Sequence, residues 1–139
     1  MKLILCVEEN GGMAFHNRRV SKDRVQLENM MEEIKETPFY VSPYSAKMLE
    51  EYGFCGYVET TEPDQIAEED AWYFCEFGEY EVLLPKVTEI LLYQWNRRYP
   101  SNVAFDMQLL EDYEKTEETE FQGSSHDKIT KIRYCKKES

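Results

Sequence analysis

The run Leu3-Ile-Leu-Cys-Val7 is apolar at every position and is closed by Glu8-Glu9 and the turn-prone Asn10-Gly11-Gly12. A strand with one face in water alternates apolar and polar residues. An unbroken apolar run suits a central strand covered on both faces, as in a largely parallel sheet. The run is too short for the apolar core of a signal peptide or for a membrane span. The chain is therefore expected to be soluble and cytoplasmic.

The rest of the sequence supplies the covering layers. Ser21 reads as a helix N-cap with Asp23 in the first turn, where the macrodipole favours a carboxylate. Leu27, Met30, Met31 and Ile34 follow at helical spacing as one apolar stripe. Residues 38–41 read as a short strand. Ser42-Pro43 opens a second helix with Met48, Leu49 and Tyr52 inside, and Gly53 is a fitting residue just past its end. Strands are expected at 54–59, 71–75 and 87–95, a short acidic helix capped by Thr61 through residue 67, and another helix over 78–84. Residues 110–121 and 128–135 read as a long antiparallel hairpin around Gly123-Ser-Ser-His126. Early alternation of strand and helix argues a parallel sheet with right-handed crossovers, to which the hairpin adds antiparallel strands. One α/β domain is expected over residues 1–135, with 136–139 a frayed tail.

Composition narrows the partners. The formal charge is −12, which repels nucleic acid and anionic lipid, so neither is an expected partner. Apolar residues make up 42% and aromatic residues 14% of the 139, enough for one packed core. Cys6, Cys55, Cys75 and Cys135 include no C-x-x-C pair, and the first three stand in apolar runs; free buried thiols are expected. His16 and His126 are the only histidines, too few for a histidine-rich metal centre, so no metal is expected.

Several stretches, in this order, resemble the dihydrofolate reductases. Cys6-Val-Glu-Glu-Asn10-Gly-Gly-Met13 resembles that family's first strand running into its active-site loop. Tyr80-Glu-Val-Leu-Leu-Pro85 with Ile90-Leu-Leu-Tyr93 resembles its helix and strand after a glycine pair. Glu120-Phe-Gln-Gly-Ser-Ser-His126 through Ile132-Arg-Tyr134 resembles its closing hairpin. The resemblance implies a single-domain, three-layer α/β fold with a mostly parallel central sheet and a C-terminal antiparallel hairpin.

What the resemblance implies for function is mostly loss. The family holds its cofactor's pyrophosphate beside a Gly-Gly pair, where a side chain would block the backbone. Cys75-Glu76 stands there in this chain. A second phosphate dock, Gly-Arg-x-Thr at a helix start, corresponds to Ser42-Pro43-Tyr44-Ser45 and lacks the arginine. The threonine behind the family's catalytic carboxylate falls on Tyr93. By the resemblance, only Asp23 is retained, where the family's acidic residue begins its helix. No classical cofactor is expected, and NADPH-dependent reduction is disfavoured.

The function expected from these features is that of a reductase-fold pseudoenzyme, binding a small anionic ligand or a protein partner. The ligand-binding residues expected are Asn10, Gly12, Arg18, Arg19, Asp23, Trp95, Arg97 and Arg98, the two Arg-Arg doublets making an anion-binding mouth. Asp23 would meet an amino or guanidino group, and is the one candidate catalytic group. Two alternatives stay open: an oxidoreductase with altered cofactor recognition, and a small ribonuclease or hydrolase using Asp23 or His126. An exposed edge strand also leaves a homodimer open.

Overall fold

A computed structural model describes residues 1–137. Among them, β1 (Lys2–Val7) lies between two parallel neighbours, β6 (Trp72–Phe74) and β7 (Glu89–Gln94), so Leu3, Ile4, Leu5 and Val7 are buried on both faces. Outward from β6 come β4 (Phe39–Val41) and β5 (Val58–Glu59), both parallel to their neighbours. Outward from β7 come β10 (Ile129–Lys136) and β9 (Tyr113–Phe121), both antiparallel. The seven-stranded order is β5-β4-β6-β1-β7-β10-β9. This is the mixed α/β sheet the sequence implies.

Two helices cover one face, α1 (Arg24–Glu33) and α2 (Pro43–Glu51). Their Leu27, Met30, Met48 and Leu49 pack on Ile4, Phe74, Leu91 and Tyr93 of the sheet. The opposite face is covered by single 3-10 turns. Gly78–Val82, Leu84–Lys86 and Met107–Asp112 bring Tyr80, Leu83 and Leu110 onto Leu3, Leu5 and Leu92. The helix expected over 78–84 is thus two short turns, and the acidic helix expected after Thr61 is one turn, Pro63–Gln65. Pro63 and Pro85, each lacking a backbone donor, limit how far a regular helix extends at those places.

Local chemistry explains both ends of α2. Ser42 Oγ accepts from the Ser45 amide at 3.1 Å, with Pro43 in the first turn. At the far end Phe54 N–H reaches the Leu49 carbonyl and Gly53 N–H the Glu50 carbonyl, with Gly53 at φ +81°. That double bond is a Schellman stop, and a side chain at Gly53 would strain it.

Three other expectations are corrected. Asp23, not Ser21, is the N-cap of α1; its Oδ1 accepts from the Val25 and Gln26 amides at 2.9 and 3.1 Å. The strand expected from residue 54 begins only at Val58, and Cys55 is exposed rather than buried. Lys136 ends β10 with its amide on Thr88 O, and Lys137 donates to Asp112 O, so these two residues are tied down. Residues 138 and 139 of the expected tail lie outside the described residues.

A second, three-stranded sheet follows β1. β2 (Gly12–Phe15) and β3 (Arg18–Arg19) form a hairpin turning at His16 and Asn17, whose φ values are +49° and +63°. β8 (Val103–Ala104) pairs with the other side of β2. The loop after β1 is therefore a hydrogen-bonded ribbon standing at the carboxyl end of the main sheet.

Candidate functional site

A narrow cleft opens where β1, β6 and β7 end beneath that ribbon. Cys6, Met13, Met48, Phe74 and Trp95 form its apolar walls, and Arg19, Ser21, Gln26 and Glu76 bring polar groups to it. A crevice at the carboxyl ends of sheet strands is where open α/β folds take ligands.

One side of the cleft is closed by the chain's own ions. Arg19 meets Glu76 in a bidentate pair, Nε to Oε2 at 2.7 Å and Nη2 to Oε1 at 3.0 Å. Ser45 Oγ, in the first turn of α2, donates to Glu76 Oε1 at 2.6 Å. The guanidinium also lies 4.3 Å over the Tyr44 ring. Burial pulls the Arg19 pKa down, but the Glu76 carboxylate more than offsets this and leaves it raised. The carboxylate thus sits at the α2 N-terminus, where the helix favours an anion.

The opposite side holds a buried hydrogen-bonded chain. Asp23 Oδ2 accepts from His126 Nδ1 at 2.9 Å, and from the Ser125 amide and hydroxyl at 2.8 and 3.2 Å. Asp23 Oδ1 also takes the Ser124 amide at 3.0 Å. Burial by itself would raise the Asp23 carboxyl, but bonds from His126, Ser125, Ser124 and Gln26 hold it well below the usual carboxylate range. With Nδ1 committed to Asp23, His126 Nε2 accepts from Ser21 Oγ at 2.8 Å and lies 3.1 Å from the Tyr99 hydroxyl. Trp95 stacks on the His126 ring at 4.6 Å between centroids. Sequence reasoning placed His126 in its turn and did not connect it to Ser21, 105 positions away.

Gln26 is the other residue that sequence reasoning missed. It is buried in the first turn of α1 and lines the cleft. Among the described residues, its Nε2 is the one buried side-chain nitrogen or oxygen without a hydrogen-bond partner. The available signal was its place four residues before Met30, beside the apolar stripe.

The residues proposed from sequence divide into groups. Arg19 and Trp95 reach the cleft. Asp23 does not line it; the carboxylate is turned into the Ser124–His126 loop, so the first-turn side chain facing the cleft is Gln26. Arg18, Arg97 and Arg98 are exposed, and Arg98 lies 4.0 Å from Glu9. Asn10 is exposed beside Arg98, Tyr99, Pro100 and Ser101 in a separate depression. Gly12 is packed on the protein: a Cβ there would meet Ser101 Oγ at 2.2 Å. The buried Glu8 carboxylate ties this turn together, accepting from the Asn10, Gly12 and Tyr99 amides at 2.7, 2.8 and 3.2 Å. The two arginine doublets therefore do not form one mouth on the cleft, because Arg19 is committed to Glu76. Tyr93 donates to Asn29 Oδ1 at 2.6 Å.

No family model matches the sequence, and no curated protein matches it. Solved structures match the fold. A dihydrofolate reductase from Enterococcus faecalis, complexed with NADP(H) and RAB-propyl, has a TM-score of 0.73. The match covers 99% of this chain and 96% of that one, at 10% sequence identity. The chain has the dihydrofolate reductase-like fold. Among the described residues no helix is long and apolar enough to cross a membrane, and no group of three or more His, Cys, Asp or Glu is placed to hold a metal ion.

Proposed function

We propose that this chain is a small-molecule-binding protein that uses the substrate half of a reductase-like cleft and does not use a nicotinamide dinucleotide. Gln26 carries the reading. A buried amide N–H without an acceptor costs about 1–3 kcal/mol, which a ligand carbonyl or ring nitrogen would relieve. Gln26 lines a cleft otherwise walled by Cys6, Met13, Met48, Phe74 and Trp95, and its Nε2 lies buried behind that lining, so the ligand that would draw it out is compact, largely apolar and acceptor-bearing.

The similar reductase is complexed with NADP(H). The residues here do not fit that group. By the resemblance, the pyrophosphate would approach the backbone after β6, and Glu76 puts a carboxylate there, held by Arg19 and Ser45. The α2 N-terminus that would receive a phosphate already faces that carboxylate. No reductive step is assigned. The free cysteines suit the reducing, cytoplasmic setting expected from sequence.

The test is a thermal-shift titration with NADPH, NADH and a set of small carbonyl-bearing heteroaromatic compounds. A ligand at 100 times its dissociation constant adds about 2.7 kcal/mol of stability. The expected result is no shift with either dinucleotide, and at least one compound whose shift disappears in Gln26→Leu. A saturable shift with NADPH, or compounds that bind equally well to Gln26→Leu, overturns the reading.

A further inference from the structure

Ser21 Oγ, His126 and Asp23 lie in one line of hydrogen bonds: hydroxyl to Nε2 at 2.8 Å, Nδ1 to carboxylate at 2.9 Å. Nothing in the substrate-binding reading needs that line. Asp23 is fixed by five further bonds, from the Val25, Gln26, Ser124 and Ser125 amides and the Ser125 hydroxyl. The ring is clamped against Trp95. Orientation of the imidazole is therefore set from three sides, and its remaining lone pair faces two hydroxyls, Ser21 Oγ on the cleft wall at 2.8 Å and Tyr99 at 3.1 Å. Ser21 is only half-buried, and it lines the same cleft as the unpartnered Gln26 amide.

We propose that Ser21 is a nucleophile, His126 its general base and Asp23 the group that positions His126, and that this cleft hydrolyses small carboxylic esters. The arrangement is recognised by geometry and roles, which recur on unrelated folds irrespective of order in the chain. Ser21 Oγ attacks the ester carbonyl carbon, forming a C–O bond as its proton passes to His126 Nε2. The carbonyl oxygen becomes an oxyanion, to which the Gln26 amide donates once its buried Nε2–H is turned toward the cleft. Collapse breaks the bond to the alkoxide, which takes the proton from Nε2 and leaves as alcohol. Water, deprotonated by Nε2, then attacks acyl-Ser21; the carboxylic acid departs and Ser21 recovers its proton. Water is the only co-reactant.

The apolar walls select the substrate. Met13, Met48, Phe74 and Trp95 favour a short or flat acyl group, and Glu76, although paired, disfavours an anionic one. The proposal rests on the reading of this cleft as a small-molecule site and adds chemistry to it.

The experiment treats the purified full chain with an alkyl fluorophosphonate and follows intact mass, with peptide mapping of the adduct. Hydrolysis of p-nitrophenyl butyrate is measured in parallel. One adduct per chain, on Ser21, is expected, together with a burst of nitrophenol before steady turnover. Ser21→Ala should lose both, and Gln26→Leu should slow turnover by ~10²-fold. Asp23→Asn should lower kcat per Ser21 site titrated by the fluorophosphonate, which a loss of folded protein alone would not do. If a variant fails to fold, the mapped site on the unaltered chain still decides. Absence of an adduct on Ser21, or turnover unchanged in Ser21→Ala, overturns the proposal. Should Gln26-dependent ligand shifts persist in that case, the triad alone fails; loss of both sinks the binding reading too.

Discussion

The Asp23 carboxylate and the His126 ring meet at 2.9 Å across 103 positions of sequence, and both side chains are buried. The contact joins the first turn of α1 to the loop between β9 and β10. Its energetics follow from Asp23, whose folded pKa lies below its ordinary value of 3.8. A depressed carboxyl stabilises the fold above the unfolded pKa, and that contribution is lost as pH falls from there toward the folded value. Melting temperature measured from pH 7 to pH 2 should therefore fall more steeply below about pH 4 for the parent chain than for Asp23→Asn. Parallel curves would mean that the contact contributes nothing to stability.

Arg19 and Glu76 are both largely buried, so removing one leaves the other uncompensated. Arg19→Met should cost about 3–5 kcal/mol, whereas Arg19→Met with Glu76→Leu should regain most of it. Urea unfolding of the two single variants and the double variant closes this cycle. A coupling energy near zero would show that the pair is held by its surroundings alone.

Gly123 is required by close approach. A Cβ there would stand 2.4 Å from Asp23 Oδ2 and 2.8 Å from Ile129 Cδ1, and neither a capped carboxylate nor a core side chain yields freely. Gly123→Ala should lower stability by about 1–3 kcal/mol, as overpacking generally does. It should also slow fluorophosphonate labelling of Ser21, because the displaced carboxylate no longer orients His126. Unfolding midpoints and labelling rates report the two effects separately.

The thiols should separate by rate. Cys55 is exposed, whereas burial pushes the Cys75 thiol up to about 12 and Cys75 Sγ donates to the Phe77 carbonyl. The thiolate is the reactive form, so Cys75 should resist iodoacetamide at pH 8 until the chain unfolds. Peptide mass mapping over time should find Cys55 alkylated first, and Cys6 and Cys75, both pushed up by burial, last. Early labelling of Cys75 would contradict the burial.

The core was legible because its signals are local. The apolar run at β1, the Ser42-Pro43 start and Gly53 stop of α2, and the paired polar-apolar segments of the closing hairpin each occupy a few neighbouring residues. The ribbon of β2, β3 and β8 was not, since its strands are two to four residues long and β3 is Arg18-Arg19. Nor could local pattern choose between Ser21 and Asp23 as the cap. Both are good cap residues, and the choice is made by Ser124, Ser125 and His126, far along the chain. The same distance hid the Ser21–His126 contact. Arg19 misled for a related reason: a doublet of cations reads as a site for a foreign anion, and nothing nearby in sequence shows that Glu76 supplies the anion from within.

The sheet's two outer edges offer very different surfaces to a second strand. On one side β5 offers only Val58 and Glu59, too short a template for a second sheet to grow upon. On the other, β9 presents nine residues, among them Glu114, Glu117, Glu118 and Glu120. A copy docking edge to edge would bring four carboxylates and one cation, Lys115, of each strand together, an excess of like charge that opposes pairing although Glu117, Glu118 and Glu120 each have a cation of their own. Protonation of those carboxylates in acid would remove this repulsion from the β9 edge while it also weakens the Asp23 contact.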